Sequence, residues 1–133
     1  MSEFSWPARV YWEDTDGGGI VYYANYLRFL ERSRTEWLRS LGFSQQAMAR
    51  EPGVLFAVVN VSVDYRRPAR LDDELLVTCQ PRPDGAVCMR FVQRILRAGE
   101  AEPLVTAEVR VACVDARTMR PTKLPESLRA ALN

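Results

Sequence analysis

Apolar and polar residues alternate strictly in four stretches of the second half of the chain. Val59, Val61, Val63 and Tyr65 alternate with Asn60, Ser62, Asp64 and Arg66. Leu75, Val77 and Cys79 alternate with Leu76, Thr78 and Gln80. Ala86 to Leu96 carries Val87, Met89 and Phe91 on one face, and Val105, Ala107, Val109, Val111 and Cys113 face away from Thr106, Glu108 and Arg110. A period of two over such lengths predicts half-buried antiparallel strands. Pro83-Asp84-Gly85 and Ala98-Gly99-Glu100 have the composition of tight connections. Near the N-terminus, the short aromatic and branched run Arg9 to Glu13 predicts a further strand.

Between that strand and the other four the period changes. From Ala24 to Leu41, the residues Tyr26, Leu27, Leu30, Trp37, Leu38 and Leu41 fall on one stripe at helical spacing. Ser33 and Arg34 interrupt the stripe in its middle, and Arg32 and Glu36 stand at a spacing that allows pairing. Gly42 follows the last apolar position, where a helix end favours it. A short terminal helix is expected at Ser127 to Leu132, after Pro125. One strand, one long helix and four strands make an α+β domain, because the helix must bury its stripe against the sheet. Apolar residues on both faces of some strands predict that a second subunit covers part of the sheet.

Composition narrows the function. A chain of 133 residues makes one domain, residues 1–133, and 47% hydrophobic with 26% charged residues is the balance of a globular protein. The net charge of +1 argues against a nucleic-acid binder. The longest apolar run, Val54 to Val59, is too short for a membrane span, and Met1 to Pro7 lacks the basic and apolar parts of a targeting segment. Cys79, Cys88 and Cys113 form no paired motif and read as buried core thiols, which fits a reducing, cytoplasmic setting. The chain has 0 histidines. Serine–histidine and cysteine–histidine catalysis and histidine-ligated metals are therefore excluded, so a carboxylate, Tyr, Lys or Cys must move any proton.

One segment carries candidate chemistry: Asp14-Thr15-Asp16-Gly17-Gly18-Gly19-Ile20-Val21-Tyr22-Tyr23-Ala24-Asn25-Tyr26. It sets carboxylates in a glycine-rich loop shortly before a helix begins. The first turn of a helix offers free backbone N–H groups and the positive end of its dipole. Such donors hold an oxyanion, while a nearby carboxylate attacks a carbonyl or takes a proton from water. Asp16 is also an ordinary turn residue in an Asp-Gly pair, and Asp14 is a competing carboxylate that reads as a strand-end residue orienting the backbone. A calcium loop starting at Asp14 would have Gly18 and Asn25 where oxygen and glutamate ligands are required, and no Gly-Lys-Ser/Thr follows the glycines, so neither a metal nor a nucleotide is expected there.

The residues themselves resemble a known family. Tyr11 to Asp16, followed by Gly19 to Phe29, is similar to the signature of the 4-hydroxybenzoyl-CoA thioesterase family, most closely its Tol-Pal-associated acyl-CoA thioesterases. Glu31 to Leu38 extends the likeness down the helix, Asp64 to Asp73 resembles a second signature, and Cys113-Val114-Asp115, Arg120-Pro121 and Leu124-Pro125 fit the family's ending. The resemblance implies a hotdog fold, a five-stranded antiparallel sheet wrapped around one long central helix. It implies dimers and commonly homotetramers that hydrolyse acyl-CoA to a free acid and coenzyme A with no cofactor.

On that resemblance Asp16 is the catalytic carboxylate, as nucleophile or general base, and the Tyr23 backbone N–H is the oxyanion donor. The Tol-Pal-associated members usually carry histidine where this chain has Tyr23, whereas another branch has tyrosine. Gly19, Tyr22 and Asn25 are candidate substrate contacts, although Asn25 at the helix start reads first as a cap. Arg66 and Arg67 are candidates for coenzyme A phosphates, shared with Arg70, Arg90, Arg94 and Arg97. The alternative is a non-catalytic hotdog module that binds acyl-CoA or acyl carrier protein.

Overall fold

In the computed structural model, which describes residues 3–132, five strands form one antiparallel sheet. They are β1 (Phe4–Arg9), β2 (Val54–Tyr65), β3 (Glu74–Asp84), β4 (Cys88–Arg97) and β5 (Val105–Asp115). Their order is β1-β3-β4-β5-β2, so β1 and β2 are the edges. The long helix α1 (Tyr26–Ser40) packs against β3, β1 and β4. Two short helices, α2 (Gln45–Arg50) and α3 (Glu126–Ala131), lie on either side of the later strands in sequence. This is the hotdog arrangement, a sheet wrapped on one long helix. No helix among the described residues is long and apolar enough to cross a membrane. Met1 and Ser2 of the N-terminal reading, and the last residue of the domain, lie outside the described residues.

Several boundaries differ from the pattern-based expectation, each for a local reason. The first strand ends at Arg9, and Trp12–Asp14 form a tight turn instead of the strand expected there. The Asp14 carboxylate accepts the Tyr11 N–H at 2.8 Å and the Thr15 hydroxyl donates to the Trp12 carbonyl at 2.7 Å, so local side chains take over from the ladder. A separate helical turn, Tyr23–Asn25, precedes α1. Helix α2 was not signalled by periodicity; Ser44 starts it by accepting the Ala47 N–H. Strand β3 runs past Gln80 through Pro81 and Pro83. Its pairing with β1 stops at Cys79, so the prolines fall where one side of the strand has no neighbour.

Strand β2 begins at Val54, five residues earlier than its alternation suggested, and it contains a bulge. Val58 pairs with Val111 and Asn60 with Arg110, leaving Val59 unpaired. The extra residue shifts the phase by one. Phe56 and Val58 before the bulge then share the inner face with Val61 and Val63 after it, and Val59 leaves the face the alternation assigned to it.

The buried face of α1 is also rotated. Phe29 and Ser33 are buried, whereas Leu27 and Leu41 are exposed. The expected Arg32–Glu36 pair is replaced: Glu36 takes Arg39 at 2.9 Å, and the Arg32 guanidinium lies over the Phe29 ring at 5.7 Å.

The polar interruption of the stripe is where helix and sheet are joined. The β3–β4 pairing skips Thr78, Cys79, Gln93 and Arg94. The fully buried Gln93 amide fills that gap, donating to the Leu30 carbonyl of α1 at 3.0 Å and the Thr78 carbonyl of β3 at 3.1 Å. Its oxygen accepts from Arg34 at 3.0 Å. The Ser33 hydroxyl donates to the Val77 carbonyl at 2.8 Å, and the Thr78 hydroxyl accepts the Arg94 N–H at 2.9 Å. No buried side-chain nitrogen or oxygen among the described residues lacks a partner.

Gln93→Leu keeps the volume but strands two carbonyls and the Arg34 guanidinium. It should destabilise the fold by about 2–4 kcal/mol, because buried groups left without partners lose their full solvation. Denaturant melts of the two proteins check this, and an unchanged midpoint would contradict the role given to Gln93.

Candidate active site

The glycine-rich segment folds as a small hairpin ahead of α1. Thr15 bridges Val21, the Asp16 N–H donates to the Ile20 carbonyl at 3.0 Å, and the Tyr22 N–H donates to the Asp14 carbonyl at 2.9 Å. At its tip the Asp16 carboxylate accepts the Gly18 N–H at 2.7 Å and is otherwise open to solvent. Gly17 and Gly19 have φ of +89° and +87°, a region that costs any side chain energy. A Cβ on Gly18 would meet the Asp16 carboxylate oxygen at 3.1 Å. The glycine run is thus the shape of the Asp16 turn.

The hairpin leans on the segment that follows β2. The Leu71 N–H donates to the Gly19 carbonyl at 3.0 Å and the Val21 N–H to the Ala69 carbonyl at 2.9 Å. The Ala69 N–H in turn donates to the Tyr26 hydroxyl at 2.9 Å, so the second motif of the sequence holds both the hairpin and the first residue of α1. Burial raises the Tyr26 phenol above its usual pKa, although the Ala69 N–H works in the opposite sense.

Asp14, not Asp16, is the buried carboxylate. One oxygen accepts the Tyr11 N–H at 2.8 Å and the other the Asn25 side-chain amide at 2.8 Å. Asn25 therefore makes no cap hydrogen bond; its amide ties the helix start to the strand end. Tyr23 opens the helical turn, and the first N–H groups of such a turn have no acceptor within it. The Tyr22 and Tyr23 rings are exposed and 5.0 Å apart, and Tyr65 at the end of β2 lies 6.1 Å from Tyr23 and 5.6 Å from Tyr26. A cleft of about 240 Å³ beside this turn is lined by Asp14, Tyr22, Asn25 and Arg28. Arg28 escaped the sequence reading because it looks like any cation on a solvated helix face.

Asp16, Gly19, Tyr22, Tyr23 and Asn25 thus belong to one hairpin and one helix start. The arginines are more scattered. Arg67 is held by Glu100 and by the Glu102 carbonyl, Arg90 by Glu108 and Asp84, Arg94 by Glu3, and Arg97 by Asp73 and Glu100. No side-chain partner is seen for Arg66 or Arg70 among the described residues, and both are exposed.

Comparison with known proteins gives a consistent result. The model of the thioesterase-like superfamily matches residues 10–132. The acyl-CoA thioesterase YbgC of Haemophilus influenzae is 44% identical over 98% of this chain and 94% of its own. The acyl-CoA thioester hydrolase YbgC of Escherichia coli O6:H1 is 49% identical over 96% of this chain and 93% of its own. A 1,4-dihydroxy-2-naphthoyl-CoA thioesterase from Synechocystis superposes with a TM-score of 0.91 at 27% identity, covering 98% of this chain and 96% of that one.

Removing the amide of Asn25 leaves the buried Asp14 oxygen without its donor. Asn25→Ala should lower stability by about 1–2 kcal/mol. It should also slow turnover about tenfold or more, because the helix start is no longer held in place. Thermal melts and hydrolysis rates on the same preparation check both; a variant with native stability would remove the tether from the account.

Proposed function

The chain belongs to the thioesterase-like superfamily, and we propose that it is an acyl-CoA thioesterase that uses Asp16 and the helix start at Tyr23. The carrying observation is an exposed carboxylate, fixed by its own glycine turn, in the hairpin that leads into a helical turn, whose first N–H groups have no acceptor within it. In a chain without histidine this pair suffices for acyl transfer.

The thioester carbonyl oxygen is received by the Tyr23 N–H, where the helix dipole favours negative charge. Asp16 then acts in one of two ways. As nucleophile, its oxygen bonds to the carbonyl carbon, the C–S bond breaks to release coenzyme A thiolate, and water cleaves the resulting anhydride. As general base, it takes a proton from water whose oxygen attacks the carbon, and the proton passes to the departing thiolate. Both routes give the free acid and coenzyme A. Arg66 and Arg28 are free to meet phosphates, whereas Arg67 would first have to leave Glu100.

A dimer completes the site in this reading. Strand β2 is an edge of 12 residues without Lys, Arg or Pro, and Val58, Val59, Val61 and Tyr65 are each 40–52% exposed. An edge so long and apolar calls for a partner, and antiparallel pairing of β2 with itself about its middle gives a closed two-fold dimer. That pairing sets the Tyr65 end of one copy, with its helix start, beside the Phe56 end of the other. The free, buried thiols Cys79, Cys88 and Cys113 fit a reducing cytoplasm.

Asp16→Asn should reduce hydrolysis of acyl-CoA by about 10²- to 10⁴-fold with the fold retained. Tyr23→Phe, which spares the backbone donor, should cost far less. Direct measurement of thioester loss decides this, and near-full activity of Asp16→Asn would end the mechanism. Tight binding without turnover by the wild type would favour the binding module instead. A charge in the edge, Val61→Lys, should leave a folded monomer in sedimentation that has lost turnover; an active monomer would refute the shared site.

A further inference from the structure

A cavity of about 200 Å³ lies between α1 and the β4-β5-β2 half of the sheet. Phe56, Met89, Phe91 and Val111 form its apolar wall, and Arg34 and Glu31 of α1 also line it. Arg34 differs from the arginines held in surface ion pairs. Arg67, Arg90, Arg94, Arg97 and Arg110 each face a carboxylate at the surface. Arg34 is partly buried, and its one hydrogen bond among the described residues goes to the neutral Gln93 amide at 3.0 Å. Since no buried side-chain nitrogen among the described residues lacks a partner, the guanidinium nitrogens that Gln93 does not hold reach solvent, on a side chain that lines the cavity. Burial draws the group below its usual pKa, while the nearby Cys79 and Glu31 work in the opposite sense.

Glu31 acts on Arg34 through its charge but makes no hydrogen bond or ion pair with it among the described residues. It is exposed, and one of its oxygens is held by the Thr35 hydroxyl at 3.0 Å, which is itself held by the Gln45 amide at 3.1 Å. A cation aimed into an apolar chamber, with free donors in a planar fork, matches a carboxylate carried on a short hydrocarbon. Benzene fills an apolar cavity of about 150 Å³, so this chamber has room for about six carbons or one ring.

We propose that this cavity takes the acyl end of the substrate and that Arg34 selects acyl groups ending in a carboxylate. The inference rests on the thioesterase reading above and adds the substrate class. Phe56 and Val58 of β2 line the cavity, at the end of the strand that self-pairing of the edge sets beside a helix start.

The test compares hexanoyl-CoA with adipyl-CoA, which differ in a terminal methyl against a terminal carboxylate. Wild type should prefer adipyl-CoA in kcat/KM by about tenfold or more, the worth of a hydrogen-bonded charge pair. Arg34→Gln should collapse that ratio, Arg34→Lys should keep part of it, and Glu31→Gln should raise it. Equal rates on both thioesters, or a parallel fall of both in Arg34→Gln with the ratio kept, would overturn the assignment. Calorimetric binding of the same two thioesters to Asp16→Asn, with and without Arg34→Gln, separates the two readings. Arg34-dependent preference for adipyl-CoA with no turnover by wild type would keep the selectivity and discard the thioesterase. Turnover of both thioesters without preference would do the reverse.

Discussion

The buried amide of Gln93 is the joint on which the molecule is assembled. A continuous β3–β4 ladder would have left the polar middle of α1, Ser33 and Arg34, facing carbonyls already satisfied. Instead the ladder opens at Thr78 and Gln93, and the freed groups are shared between strand and helix. Each bond is ordinary in strength, but none can be lost alone without stranding another group away from water. The apolar stripe drives the helix onto the sheet without specifying where along its length it stops. Directional bonds from Gln93 to Leu30 and from Ser33 to Val77 choose the register. Through that register the sheet decides where the helix begins, and therefore where its unpaired N–H groups stand.

The same joint links the two ends of the site. Arg34 leans on the Gln93 oxygen from one side and lines the apolar chamber on the other. At the N-terminal end, Asp14 and Ala69 hold the start of the helical region as Gln93 holds the middle of α1. Asp14 uses both oxygens in positioning, one on the Tyr11 N–H and one on the Asn25 amide. Asp16 is the opposite: exposed, tied only to Gly18, and available. Burial thus separates two carboxylates two residues apart in the chain into a tether and an exposed group, the one to which the proposed mechanism assigns the chemistry.

Much of this could be read from the chain because the relevant forces are local. Alternation marked β3, β4 and β5, and the helical period marked α1, since burial of one face imposes both patterns. The loop with Asp16 was legible because three glycines leave little else for the backbone to do. What escaped depended on partners far away in sequence. The break in the ladder at Gln93 looked like one more polar residue in a strand. The bulge at Val59 hid within a run of valines, where a shift of phase leaves no mark in composition. Asn25 had the identity of a cap but found a carboxylate 11 residues back. Arg34 appeared only as a flaw in the stripe, because nothing in its neighbours reveals that the sheet opposite carries Gln93 and a cavity.

The bulge explains why one copy of the chain is an incomplete enzyme in this reading. Without it, Phe56 and Val58 would face away from Val61 and Val63, and β2 would present its apolar groups alternately to both sides. With it, the inner face stays apolar along the strand while helix α1 covers only the other half of the sheet. The result is an apolar strip, from Val58 to Tyr65, that begins at the cavity and ends at the tyrosines beside the helix start. Within one copy those two features are separated along β2 by the run from Val58 to Tyr65, about 23 Å when extended, too far apart to act on one short acyl group. Antiparallel self-pairing brings unlike ends together twice, once at each end of the dimer. In the proposed dimer, the edge that would make a lone copy prone to association is the element that unites the carboxylate of one copy with the proposed acyl chamber of the other.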